Sequence, residues 1–211
     1  MRVNKLNWNE WSPGLDTDGM TLAEVLATMP AAEQEDVPAV IRRYESPESP
    51  DALPGAISLA RHDCIHVLLG RGLHVQDEAF VIGYTMGAAS DITQAALETF
   101  IRVSTTEYPK HWRFEDDHIA SYKLGVGFAR DATPDLDIHL IELEGEPFQS
   151  MSVADLRRRF GLKKGEMRAY YRKEALLTPH TRASLRVDDC MHRPDRAISH
   201  AAELAAAEES S

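Results

Sequence analysis

Beginning at Ile57, apolar residues recur at helical spacing, and that period leaves a chain of this kind little choice but a helical fold. Ile57 to Leu69 reads as one helix closed by Gly70-Arg71-Gly72. Val75 to about Ala89 is the next, Ile92 to Ile101 a third and Glu115 to Arg130 a fourth. Upstream, Thr21 and Glu24 have capping-box spacing before a short helix that runs to about Met29 and stops at Pro30. A second short helix follows Pro38 through Val40, Ile41 and Tyr44. Ser46 to Pro54 carries three prolines and is a loop, and Asp131 to Pro134 is another break. Ser152 and Asp155 cap a helix ending at Gly161. No run alternates as strands do, and no internal repeat is visible. The expectation is an all-α single domain over residues 21–190. An irregular N-terminal arm (1–20) precedes it, and an Ala/Glu/Ser-rich C-terminal tail (191–211) follows and frays.

A chain of 211 residues can bury a substantial core, and 43% hydrophobic with 27% charged residues is ordinary for a globular protein. With 23 basic and 34 acidic side chains the net charge is −11. Such a surface repels nucleic-acid phosphates unless its cations are strongly segregated, so nucleic acid is not the expected partner. Cys64 and Cys190 are too few for a disulfide framework and fit a reducing compartment. Trp8, Glu10, Trp11 and Pro13 interrupt any apolar leader, and the most apolar stretch, Ala79 to Ala89, is about half of a membrane span. The expected location is cytoplasmic, with attachment to the inner face of the cell membrane from one side as the variant.

The chemistry concentrates in Arg61-His62-Asp63-Cys64-Ile65-His66. On a helix His62 and His66 are four apart and share a face, and Asp63, three before His66, flanks it. At about 100° per residue these three span roughly a third of the circumference, on a stripe shared with Leu59 and Leu69 that ought to face the core. Glu78 repeats the anomaly: after eleven residues and a glycine turn it sits among Val75, Val81 and Ile82. An unpaired carboxylate there would cost several kcal/mol, at the order of magnitude typical of buried charge. Two imidazoles and two carboxylates converging in an apolar place make a divalent-metal site, whose ion supplies the compensating charge. A hydrogen-bonded core histidine pair is the plainer alternative. His74 and Asp77 fall off the inferred face and read as solvated, and Cys64 points away from His66.

H-D-x-x-H, eleven residues, then E resembles the zinc-ligand motif of the coenzyme Q (ubiquinone) biosynthesis protein 4 family, position for position at His62, Asp63, His66 and Glu78. Ser121-Tyr-Lys-Leu-Gly125 and Asp155-Leu-Arg-Arg-Arg-Phe-Gly161 are similar to that family's C-terminal half, and Asp77 stands where the pattern has glycine. The resemblance covers roughly residues 45 to 165. It implies an all-helical homodimer that binds an isoprenoid lipid or prenylated quinone precursor and touches a membrane peripherally. The activity implied is oxidative decarboxylation at ring carbon 1 of a polyprenyl-hydroxybenzoate precursor. The implied cofactor is zinc, with iron or manganese as alternatives. Four protein ligands can also close a tetrahedral shell, which would leave the metal structural and the protein a lipid binder or scaffold.

Residues 155–174 hold eight basic against three acidic side chains. Arg157, Arg158, Arg159, Lys163 and Lys164 are candidates for an anion or membrane contact. A loose helix-turn-helix reading of the same segment makes a DNA-binding regulator the remote alternative, and an ordinary solvated face the plain one. Glu115-Asp116-Asp117-His118 could be a second ligand cluster, but acids at a helix N-terminus explain it more simply. Asp135-x-Asp137-x-His139 lies in a loop and reads as solvated. Gly83 and Gly87, four apart, would admit a second helix or a prenyl chain.

Overall fold

A computed structural model describes residues 8, 10–30 and 36–186, and all structural statements below concern those residues. The expected tail at 191–211 lies outside them. The fold is all-α, as the periodicity requires. The chain runs α1 (Leu22–Leu26), α2 (Ala39–Glu45), α3 (Leu59–Leu69), α4 (Val75–Gly87), α5 (Gln94–Thr106), α6 (Asp116–Ala132), a 3-10 turn (Ile138–Leu140), α7 (Glu146–Gln149), α8 (Val153–Arg159) and α9 (Lys164–Leu177). Among the described residues there is no β-strand, only a bridge between Thr21 and Ser152.

Capping side chains fix most boundaries. Thr21 and Glu24 form the capping box of α1, which stops at Leu26 rather than Met29. Ser58 Oγ accepts from Arg61 N at 3.2 Å, so α3 begins at Leu59 rather than Ile57. Gly70 ends it with φ +68°, a conformation that strains any other residue. Thr93 caps α5, which starts two residues later than expected and runs on to Thr106. Ser152 caps α8 as the spacing predicts.

α4 is buried almost all round, as expected of a helix with apolar residues on every side. Phe80, Val81 and Tyr84 enter one core cluster with Leu68, Phe128 and Leu156. Ala79, Ile82 and Met86 enter another with Phe100, Tyr108 and Tyr122. Its main partner is α6, and the approach is backbone to backbone. A Cβ on Gly83 would lie 2.1 Å from the Tyr122 carbonyl oxygen, and one on Gly87 would lie 2.7 Å from that of Val126. The two pairings step in the same sense, so α4 and α6 run parallel. The occupant admitted by Gly83 and Gly87 is therefore helix α6. Gly125 answers from the other side, its Cβ position being 2.2 Å from the Phe80 oxygen.

The N-terminal segment is irregular, as expected, but it is packed. Trp11 is buried and its indole N–H donates to Thr28 Oγ1 at 3.0 Å. Arg157, read from the sequence as an anion contact, is the residue that holds this segment down. It is 3% exposed and donates to the carbonyls of Leu15 and Leu68 and to Asp18. A guanidinium so committed cannot meet an external anion, which corrects that assignment. The neighbouring cations have acidic company: Arg158 with Asp155, Lys163 with Glu166, Lys164 with Asp16 and Asp18. Arg159 lies over the Phe148 ring.

Candidate metal centre

The α3–α4 turn is clamped from behind. Arg71, buried, makes a bidentate pair with Glu174 of α9 (Nη1–Oε2 2.6 Å, Nη2–Oε1 2.8 Å) and lies over the rings of Phe80 and Tyr171. Gln76 Nε2 donates to the same carboxylate at 2.8 Å, and so does the Ser121 hydroxyl from α6. Asp77, read as solvated, is instead 3% exposed between Arg71 and Arg186. Burial raises its pKa, and those two guanidinium groups outweigh that and hold it below the ordinary value. The aspartate in place of the motif's glycine thus belongs to an ion network that anchors the first turn of α4.

With the turn fixed, His62 and His66 of α3 meet Glu78 of α4. Glu78 Oε2 lies 2.8 Å from His62 Nε2 and 3.3 Å from His66 Nε2, and the two nitrogens are 2.9 Å apart. These three side chains form a group that could hold a metal ion, the only one of its kind among the described residues. Asp63 is not in the triangle. It is half-buried beside it and lines the same cavity. Burial pushes its carboxyl up, with His62 and His66 pulling the other way. Burial likewise raises Glu78, but the two imidazoles overwhelm that and hold it far below the usual range. His62 is disfavoured as a cation by burial, yet Glu78 raises it on balance.

The donor set fits a cation better than it fits protons. Three acceptor atoms face one another across about 3 Å, and a neutral imidazole offers one N–H. If both Nε2 atoms carry hydrogen, the two N–H groups crowd each other at 2.9 Å. If only one does, the other imidazole turns a lone pair toward the carboxylate oxygen. A divalent ion satisfies all three at once. Tetrahedral bonds of about 2.1 Å imply ligand separations of roughly 3.4 Å, a few tenths of an ångström beyond those present. His66 Nδ1 is buried and has no described partner, so this imidazole lacks the usual outer acceptor.

The triangle opens onto a cavity of about 410 Å³ whose wall includes Ile41, Leu53, Val75, Ile82, Phe100 and Trp112. Among the polar groups of that wall is a hydrogen-bonded pair. Glu45, at the end of α2, accepts a hydrogen bond from the Tyr108 hydroxyl, and burial pushes its carboxyl up to about 7. The sequence reading missed both residues. Glu45 lies one turn after Ile41 on the apolar stripe of α2, the same signal that singled out Glu78. Tyr108 follows α5 in a loop with no period to read.

The sign for Glu45 follows from a pKa raised above the ordinary carboxylate value of 4.5. The contribution of its protonated form is complete below about 4.5 and is lost as pH climbs through about 7. Glu45→Gln, always neutral, should therefore gain thermal stability relative to wild type between pH 5 and pH 8 in chelator-treated protein. A constant difference across that window would refute the assignment.

The remaining sequence candidates stay apart from the site. Glu115 and His118 form the reciprocal cap of α6, with His118 Nδ1 accepting from Glu115 N at 2.9 Å. Asp135 is exposed, and the His139 carbonyl accepts from Arg61. No helix among the described residues is long and apolar enough to cross a membrane. No protein-family model, curated protein or solved structure matches the chain.

Proposed function

We propose that this chain is a metal-dependent protein of ubiquinone biosynthesis that acts on a prenylated aromatic acid at ring carbon 1. The observation that carries the reading is the meeting of His62, His66 and Glu78 at the wall of a large apolar cavity. The four-ligand motif points to the pathway, and the cavity has the character an isoprenoid tail requires. A divalent metal held there, zinc or alternatively iron or manganese, would supply Lewis acidity toward an oxygen of the bound ring.

The chain's own groups divide the remaining work. Apolar walls exclude water and orient the tail. Glu45, with Tyr108 donating to it, can hold a proton inside the cavity near neutral pH. Three converging ligand residues would leave a metal a position for substrate, whereas Asp63 as a fourth would close the shell. Asp63, adjacent, is the candidate for a fourth ligand. The resemblance extends the reading to a homodimer in peripheral contact with a membrane.

The test begins with metal analysis of wild type and His66→Ala. About one divalent ion per wild-type chain and near-complete loss in the variant are expected. Incubation of the metal-loaded protein with a short-chain prenyl-hydroxybenzoate, with O₂ as the two-electron oxidant, should then release the ring carboxyl as CO₂ and leave a hydroxyl on ring carbon 1 in wild type only. Full occupancy in His66→Ala would remove the site, and metal binding without product would leave a lipid carrier instead.

A further inference from the structure

One guanidinium on the cavity wall has no acidic partner among the described residues. Arg42 of α2 is half-buried and lines the cavity, its Nε is buried without an acceptor, and no described acidic side chain pairs with it. The other sheltered arginines are all neutralised: Arg61 by Glu144, Arg71 by Glu174, Arg157 by Asp18, Arg186 by Asp77. Arg43, next in the chain, pairs with Asp51. The carboxyl nearest in helical position, Glu45, is engaged by Tyr108 instead. Arg42 also lines an open depression with Arg43, Ser46, Glu48, Ser49 and Ser58. It therefore stands where the apolar cavity meets a polar surface.

A sheltered guanidinium retains its charge at any physiological pH, so leaving its donors unmatched is costly. An anion arriving with an apolar ligand would be matched by a planar fork suited to carboxylates, in a setting where charge-assisted hydrogen bonds are strong. We propose that Arg42 binds the carboxylate of the cavity's apolar ligand and so selects acids over their neutral esters. This rests on the reading above that the cavity is a ligand site. It assigns the acid-recognising role to a residue of α2 rather than to the metal ligands.

The probes are dodecanoate and methyl dodecanoate, titrated into full-length, metal-loaded protein. Binding is followed by the fluorescence of Trp8 and Trp112, which line the cavity. Wild type should bind the acid at least about tenfold more tightly than the ester, as one charge-assisted bond allows. Arg42→Gln should bind both alike, with ester affinity unchanged, which also shows that the cavity is intact. Arg42→Lys should keep part of the preference, and His66→Ala should keep all of it. Persistence of the preference in Arg42→Gln overturns the proposal. So does its loss in His66→Ala alone, which would put the carboxylate on the metal while leaving the cavity a ligand site. If neither probe binds wild type, the cavity reading itself fails and the proposal with it.

Discussion

Glu174→Ala should destabilise the protein by about 3–5 kcal/mol, the range for removing one partner of a buried ion pair. Glu174 is 1% exposed, and its carboxylate receives both terminal nitrogens of Arg71, the Gln76 amide and the Ser121 hydroxyl. Truncation leaves a buried guanidinium with only Asp77 nearby, while the Gln76 amide keeps Thr178 and Ser184 as acceptors and the Ser121 hydroxyl keeps the Gln76 carbonyl. For a chain of this length the loss amounts to about 10 °C in Tm. Thermal unfolding of wild type, Glu174→Ala and Glu174→Gln checks it, with the glutamine variant intermediate because it retains a hydrogen-bond acceptor. Since Arg71 and Gln76 flank the turn that delivers Glu78, metal affinity should weaken in parallel. An unshifted melting curve would mean that the network is not formed.

The second large effect concerns the contact between α4 and α6. Gly83→Ala should cost at least about 3 kcal/mol, the upper part of the range for overpacking a core. The added methyl would lie 2.1 Å from a backbone oxygen of Tyr122, which cannot rotate away as a side-chain tip could. Both helices must separate, and the rings of Phe80, Phe128 and Tyr122 move with them. Gly127→Ala is the internal control: it is on the same α6 but its Cβ position has no neighbour closer than 3.6 Å. Its effect should be small or stabilising, because alanine favours the helix. Equal effects at the two positions would show that the close approach at Gly83 does not govern the outcome.

Legibility in the sequence followed the range of the interaction. Caps are local, so Thr21, Ser152 and the Gly70 turn were readable from neighbours a few residues away. The inward face of α3 was readable from period, and with it His62 and His66. Glu78 was readable because only a short turn separates it from them. Asp63 shows the limit of face arguments, since a shared helical face brings it beside the donor triangle without placing an oxygen in it. Arg157 shows another limit. Its place in a basic run suggested solvent, but its partners at Leu15, Asp18 and Leu68 lie far away in the chain. The same distance hid the roles of Asp77 and Arg71, whose company comes from α9 and Arg186.

By itself, then, the order of residues determined that the chain is helical, where most helices begin and end, and which histidines and glutamate turn inward, because period and capping act over a few residues. The pairing of α4 with α6, the clamp behind the His62–His66–Glu78 triangle and the cavity holding Glu45, Tyr108 and Arg42 were decided only in three dimensions. Each joins segments that no helical period relates, and each depends on how whole helices pack rather than on any one of them.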